Sequence, residues 1–276
     1  MFKNMQLVSF TNICKMYKKK GDWMSLPGKY IYCFIKEKDG INICSSSFAN
    51  IISPVYTLPF NEISAVVSNT DIFEYDPTRK NVQNHQRVIT KVMEKYTVIP
   101  VAFGTVGNNK KSIENIIKDN YEQLLEQLNI LENKSEVGLK VTWDNNYFNQ
   151  DIETKEIKEL KAKVSGKEED EVLLDKIQLG RLVQQAIEDR KEEYINQIYN
   201  PLSKLAVMSK RKDEVPIKTV FNAYFLVDNA ASESFDQEVE RIYKAFDHRL
   251  VFNYTGPWPP YNFTNLRIDT ALEKEE

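Results

Sequence analysis

The sequence predicts an α+β protein in two parts. The first is an N-terminal ferredoxin-like antiparallel sheet with two helices; the second is a helix-rich α+β domain ending in a strand–helix–strand unit. Three observations lead there. Between residues 29 and 143, β-branched and aromatic runs alternate with helically periodic ones in the order strand, strand pair, helix, strand, helix, strand. Four antiparallel strands with two helices on one face are the economical arrangement of that order. Near residue 149 the composition shifts to Lys, Glu, Gln and Asp with Leu, Ile and Val at helical spacing, and strand character returns at 219. The expected division is an extension over 1–28, a ferredoxin-like domain over 29–148, a helical α+β domain over 149–263 and an acidic tail over 264–276.

Residues 1–28 have weak periodicity and end in the loop signal LPG. KYIYCFIKE opens the first strand, and VYTLPFNEISAVVS reads as two short strands joined near Pro59, Phe60 and Asn61. Asp76-Pro77 supplies a cap and a first-turn proline for a helix whose apolar positions are Val82, Val88, Ile89, Val92, Met93 and Tyr96. TVIPVAF is the next strand. A second helix is expected from a Ser112 cap to Leu131, and EVGLKVTW closes the sheet. In the second part a helix starts near Ile152 and Ser165-Gly166 separates it from a long one. The long helix carries Leu179, Leu182, Val183, Ala186, Ile187, Tyr194, Ile195 and Ile198, and Pro201 should break or kink it. TVFNAYFLVD is a strand, 232–246 an amphipathic helix and RLVFNYTG the final strand.

The formal charge of −3, from 37 basic and 40 acidic side chains, gives no electrostatic case for nucleic acid or for a membrane surface. The clusters at 18–20 and 210–212 are short and read as solvated loops. Three cysteines with no CxxC spacing argue for a reducing compartment. No apolar run approaches spanning length and no signal-peptide core is evident, so an intracellular soluble protein is expected.

A search for chemistry finds little. The two histidines, His85 and His248, lack partners at triad or zinc spacing and read as structural. Carboxylates lie mostly in helical charge runs; Asp228, just past a strand end, is the exception to examine. FGTVGNNKKS at 103–112 sits where a phosphate loop would, but Asn109 replaces the glycine such a loop needs before Lys110. A polar loop with a helix cap is the better account. No catalytic, cofactor or metal residue is assigned.

VIPVAFGTV at 98–106, NAYFLVD at 222–228 and TGPWPPYNF at 255–263 resemble the gas vesicle protein F/L family, nearer its F branch. The match runs over about 29–263, and GPWPPY is its most specific string. Ala102 stands where the family usually has a basic residue, and Val137 where an aromatic is common. The residues carrying the resemblance are Phe103, Gly104, Thr105, Asn222, Gly256, Pro257, Trp258, Pro259, Pro260 and Tyr261. The resemblance implies a non-enzymatic minor component of gas vesicles within the cytoplasm, with no cofactor. Its implied partners are the small hydrophobic shell subunit and other vesicle accessory proteins, with no nucleic acid and no membrane. The alternative is a small-ligand enzyme or sensor on a ferredoxin-like domain, since fold does not fix function.

The prolines of 256–260 remove donors and favour an extended backbone, so the final strand is expected to stop pairing at Gly256. Three residues per turn would then place Trp258 and Tyr261 on one side, closing their own core or facing a partner. Replacing Trp258 by Ala is expected to act mainly through folding.

Overall fold

A computed structural model describes residues 28–48, 51–167 and 172–264. The expected extension up to residue 27 and the acidic tail from 265 lie outside the described residues.

The α+β class is as the sequence predicts, built on two antiparallel sheets. The first sheet has strand order β2-β3-β4-β1-β5, with β6 also on β1, and every pairing is antiparallel. Its strands are β1 (Gly28–Lys36), β2 (Asn42–Phe48), β3 (Ile51–Phe60), β4 (Ile63–Thr70), β5 (Val98–Pro100) and β6 (Val106–Gly107). The β3–β4 hairpin turns at Asn61, whose φ of 53° suits asparagine. β2 was not legible as a strand because NICSSSF is mostly small and polar.

The helices of this part cover both faces of the sheet, not one. Helix α1 (Arg79–Met93) buries His85, Val88, Ile89 and Val92 against Tyr30, Tyr32, Ile35 and Val66. Helices α2 (Lys110–Asp119) and α3 (Tyr121–Leu131) pack on the opposite face against Ile31, Phe34, Ala65, Val67 and Ile99. The alternation of Val66 with Ala65 and Val67 states the reason: both faces of β4 are apolar, so both need cover.

Caps differ from expectation in detail. Thr78, not Asp76, caps α1 through Asn81 N–H at 3.2 Å. Asn109 caps α2 in a reciprocal box with Ser112. The expected single helix to Leu131 is two, broken at Asn120, whose side chain donates to the Ile116 carbonyl at 2.8 Å.

The second sheet has the order β10-β7-β9-β8, again antiparallel: β7 (Lys134–Trp143), β8 (Met208–Arg211), β9 (Thr219–Asp228) and β10 (Leu250–Trp258). Here β7 departs from the sequence expectation. It sits between β9 and β10 instead of closing the first sheet, so sheet membership changes at Asn133 rather than near 149. One face of this sheet packs Leu139, Val141, Phe221 and Phe225 against Tyr194, Ile195, Ile198, Phe235 and Ile242. These come from α6 (Leu173–Tyr194), a π turn over Ile195–Tyr199 and α8 (Ser232–Phe246). Two short helices precede α6, α4 (Phe148–Asp151) and α5 (Lys155–Val164), and α7 (Asn200–Leu205) follows the π turn. Pro201 opens α7, and the wider π turn before it replaces the expected break. The opposite face sends Leu226 into the α3 cluster, which joins the two halves.

Candidate functional site: a C-terminal strap across the two halves

β10 pairs with β7 from Leu250↔Trp143 to Thr255↔Gly138, slips register, and pairs once more at Trp258↔Glu136. Pairing therefore does not stop at Gly256 as the prolines suggested. At the slip Gly256 has φ 134°, and a Cβ there would lie 3.0 Å from the Glu136 carbonyl oxygen. The Gly256–Pro257 bond is cis.

Beyond the slip the chain turns inward. Pro259 and Pro260 are buried, and the turn is closed by Tyr261 N–H to Pro259 O at 2.8 Å and Phe263 N–H to Pro260 O at 3.1 Å. Tyr261 enters the α1-side cluster, donating its hydroxyl to Gln86 Oε1 at 3.1 Å. Phe263, 3% exposed, enters the α3-side cluster. Residues 259–264 thus leave the second sheet and grip both faces of the first. Trp258 points elsewhere and is 41% exposed. This separates it from Tyr261, which was expected on the same side.

Glu136 holds the strap. Only 3% exposed, it accepts from Asn262 N–H at 2.8 Å and from Asn262 Nδ2 at 2.6 Å. Burial raises its carboxyl above the ordinary range, opposed by the two Asn262 donors and by Lys210. Lys210 donates to the Asn262 carbonyl at 2.7 Å and lies 5.5 Å from the Phe263 ring centre. Sequence reading missed Glu136. Its position in EVGLKVTW marks a polar face but not what covers that face.

The second motif lies beside Tyr261. Gly104, with φ 85°, donates its N–H to the Tyr30 hydroxyl at 3.1 Å. Tyr30 OH meets His85 Nδ1 at 2.9 Å, and His85 Nε2 meets the Val101 carbonyl at 3.0 Å. A carbonyl can only accept, so Nε2 carries the proton and Nδ1 accepts from Tyr30. Desolvation lowers the His85 pKa to about 4, against the pull of that carbonyl. Tyr32 stacks on the imidazole at 5.7 Å and Phe103 meets it edge-on at 5.8 Å. Tyr32 also bonds Ser46 and Ser68, and burial raises its hydroxyl to about 12. Thr105 bonds the Ala102 carbonyl at 2.8 Å through its hydroxyl, and its own carbonyl accepts from Ile31.

Phe103 and Tyr261 thus flank one cluster, whereas Asn222 is not brought to it. Asn222 lies half-buried on β9, its carbonyl accepting from Lys212 N–H at 2.9 Å, four residues from Leu226. Asp228, singled out by its position, caps the turn at Asn229–Ala231 through Ala230 N–H. Among the described residues, no group of three or more His, Cys, Asp or Glu could hold a metal ion, and no helix is long and apolar enough to cross a membrane.

A sequence model described as gas vesicle synthesis protein GvpL/GvpF matches residues 28–265, the span that contains both sheets and the strap. This chain belongs to the GvpL/GvpF family. It is 26% identical to gas vesicle protein F of Microcystis aeruginosa over 249 residues, covering 87% of this chain and 98% of that one. To gas vesicle protein F1 of Halobacterium salinarum it is 25% identical over 223 residues, covering 80% and 85%. Gas vesicle protein L of Streptomyces is 22% identical over 267 residues, covering 90% and 97%. The crystal structure of GvpF from Microcystis aeruginosa superposes with a TM-score of 0.73 at 26% identity, covering 87% of this chain and all of that one. The GvpF structure from Anabaena gives 0.77 at 24% identity, over 88% and 100%, and shows the shared fold. The role of this GvpL/GvpF chain is therefore a gas-vesicle one.

Proposed function

We propose that this chain is a non-enzymatic accessory protein of gas vesicle assembly, acting in the cytoplasm by binding the small hydrophobic shell subunit. The observation that carries the reading is Trp258: a large aromatic left 41% exposed on a backbone fixed on both sides. On one side the β7 ladder holds it; on the other, the Glu136–Asn262 clamp does. An exposed aromatic on a rigid backbone loses little conformational entropy on docking and is a favourable contact for an apolar partner. Tyr261 serves the fold, by joining the halves that present Trp258, and Phe103 serves it by packing on His85 and Tyr30.

Pull-down with the shell subunit and flotation with buoyant vesicles test this directly. Trp258→Ala is expected to weaken shell-subunit binding while leaving the melting temperature nearly unchanged. A normal melt with undiminished binding would remove Trp258 from the interface. Wild-type protein that neither binds the subunit nor floats with vesicles would sink the proposal itself.

A further inference from the structure

The two edges of the second sheet are unlike. β8 is four residues long, carries Lys210 and Arg211, and runs into Lys212, features that resist pairing with a further strand. β10 is nine residues long and has no charged residue from Leu250 to Trp258. Among the described residues its one neighbour is β7.

The ladder fixes which backbone groups of β10 are spare. Asp144 N–H bonds the Arg249 carbonyl at 2.9 Å, so residues 251, 253 and 255, at period two from it, direct their polar groups toward β7. Period two then turns the N–H and C=O groups of Leu250, Phe252 and Tyr254 outward. No described residue bonds to those outward groups. The helical flank of this edge is apolar, and the other flank alternates exposed Val251 with exposed Asn253 and Thr255. On the helical face the Phe252 ring lies 5.6 Å from Tyr243, which is 44% exposed. On the other face Val251 is 51% exposed, and Trp258 ends the strand.

We infer that the outer edge of β10 accepts an added strand: an extended, uncharged segment of the vesicle-wall subunit with apolar side chains on its helix-side face. The assignment of that subunit rests on the function proposed above; the shape and chemistry of the segment follow from the edge. Three outward donor–acceptor pairs select an extended backbone. The uncharged strand selects an uncharged partner, and Tyr243 with Phe252 select apolar side chains on the helical face. A second copy of β10 fits less well, because pairing centred on Phe252 would set polar Asn253 against Val251.

The test uses the full chain and the purified wall subunit, with hydrogen exchange and binding measured on the same samples. In the free protein the Leu250, Phe252 and Tyr254 amides should exchange fast and those of Val251, Asn253 and Thr255 slowly. With the subunit bound, the fast set should become protected. Val251→Lys and Asn253→Lys place charge on exposed positions of the edge. They should weaken binding about tenfold without shifting the melt, while Gln184→Lys on α6 should change nothing. Wild-type affinity in both edge variants, or outward amides that stay fast in the complex, would overturn the docking edge while leaving the proposed function standing. A dimer that Val251→Lys dissociates would replace the wall subunit with a second copy. A wild-type protein that does not bind the subunit at all would remove the functional reading, and this inference with it.

Discussion

His85 gives the fold a dependence on pH that can be worked out in advance. In the folded chain the imidazole is neutral, bonded to Tyr30 and to the Val101 carbonyl, with a pKa lowered to about 4 by burial. Unfolded, it returns to the ordinary value of about 6.5. Between these values the unfolded state holds more protons, so stability falls as pH falls. The contribution is complete above the unfolded value and lost by the time the folded pKa is passed. A gap of about 2.5 units corresponds to about 3 kcal/mol in full, of which about 2 kcal/mol is lost between pH 8 and pH 5. The groups facing the ring, Tyr30, Tyr32 and Tyr75, are all raised by burial and stay neutral across this window. Glu136 works in the opposite direction, because its raised carboxyl favours the folded state as it protonates. The clean measurement is therefore a difference: urea unfolding of wild type and His85→Gln at pH 8, 6 and 5. Wild type should lose about 2 kcal/mol more than the variant over that range. Parallel curves for the two proteins would refute the buried neutral histidine.

Phe263→Ala should cost about 3–5 kcal/mol in denaturant unfolding, because the ring is buried among α3 residues; a loss below 1 kcal/mol would show that the strap does not grip the first half. Gly256→Ala should cost about 1–3 kcal/mol by strain at positive φ beside the Glu136 carbonyl, read as a lowered melting temperature. Asp151 is buried and accepts from Trp143 Nε1 and Tyr194 OH, each at 2.7 Å, with Arg190 Nε 3.6 Å away. Asp151→Ala should therefore destabilise by about 2–5 kcal/mol, since it strands both buried donors. Asp151→Asn should recover part of that loss, and equal melts for the two variants would argue against the network.

The sequence by itself determined the class of the fold and much of its local structure. Val88, Ile89 and Val92 recur at helical spacing because they line one helix stripe, and TVFNAYFLVD is mostly apolar because β9 lies inside a sheet with both faces largely covered. The polar loop before α2 also read as a helix-capping loop, although the cap is Asn109, with Ser112 answering it, and not Ser112 itself. The GPWPPY string pointed to the family. Only the tertiary structure decided where these pieces go. EVGLKVTW reads the same in either sheet, because period two says which residues share a face and nothing about the neighbouring strand. Nothing in EVGLKVTW therefore shows that Glu136 is covered, yet it is 3% exposed and bonded to Asn262 of the strap. Trp258 and Tyr261 were expected side by side on a regular extended backbone. The register slip against Glu136 and the turn after Pro260 send one outward and the other into the core. Local pattern fixes the conformation of a segment; which surface ends up covered depends on long-range packing that no short window of residues contains.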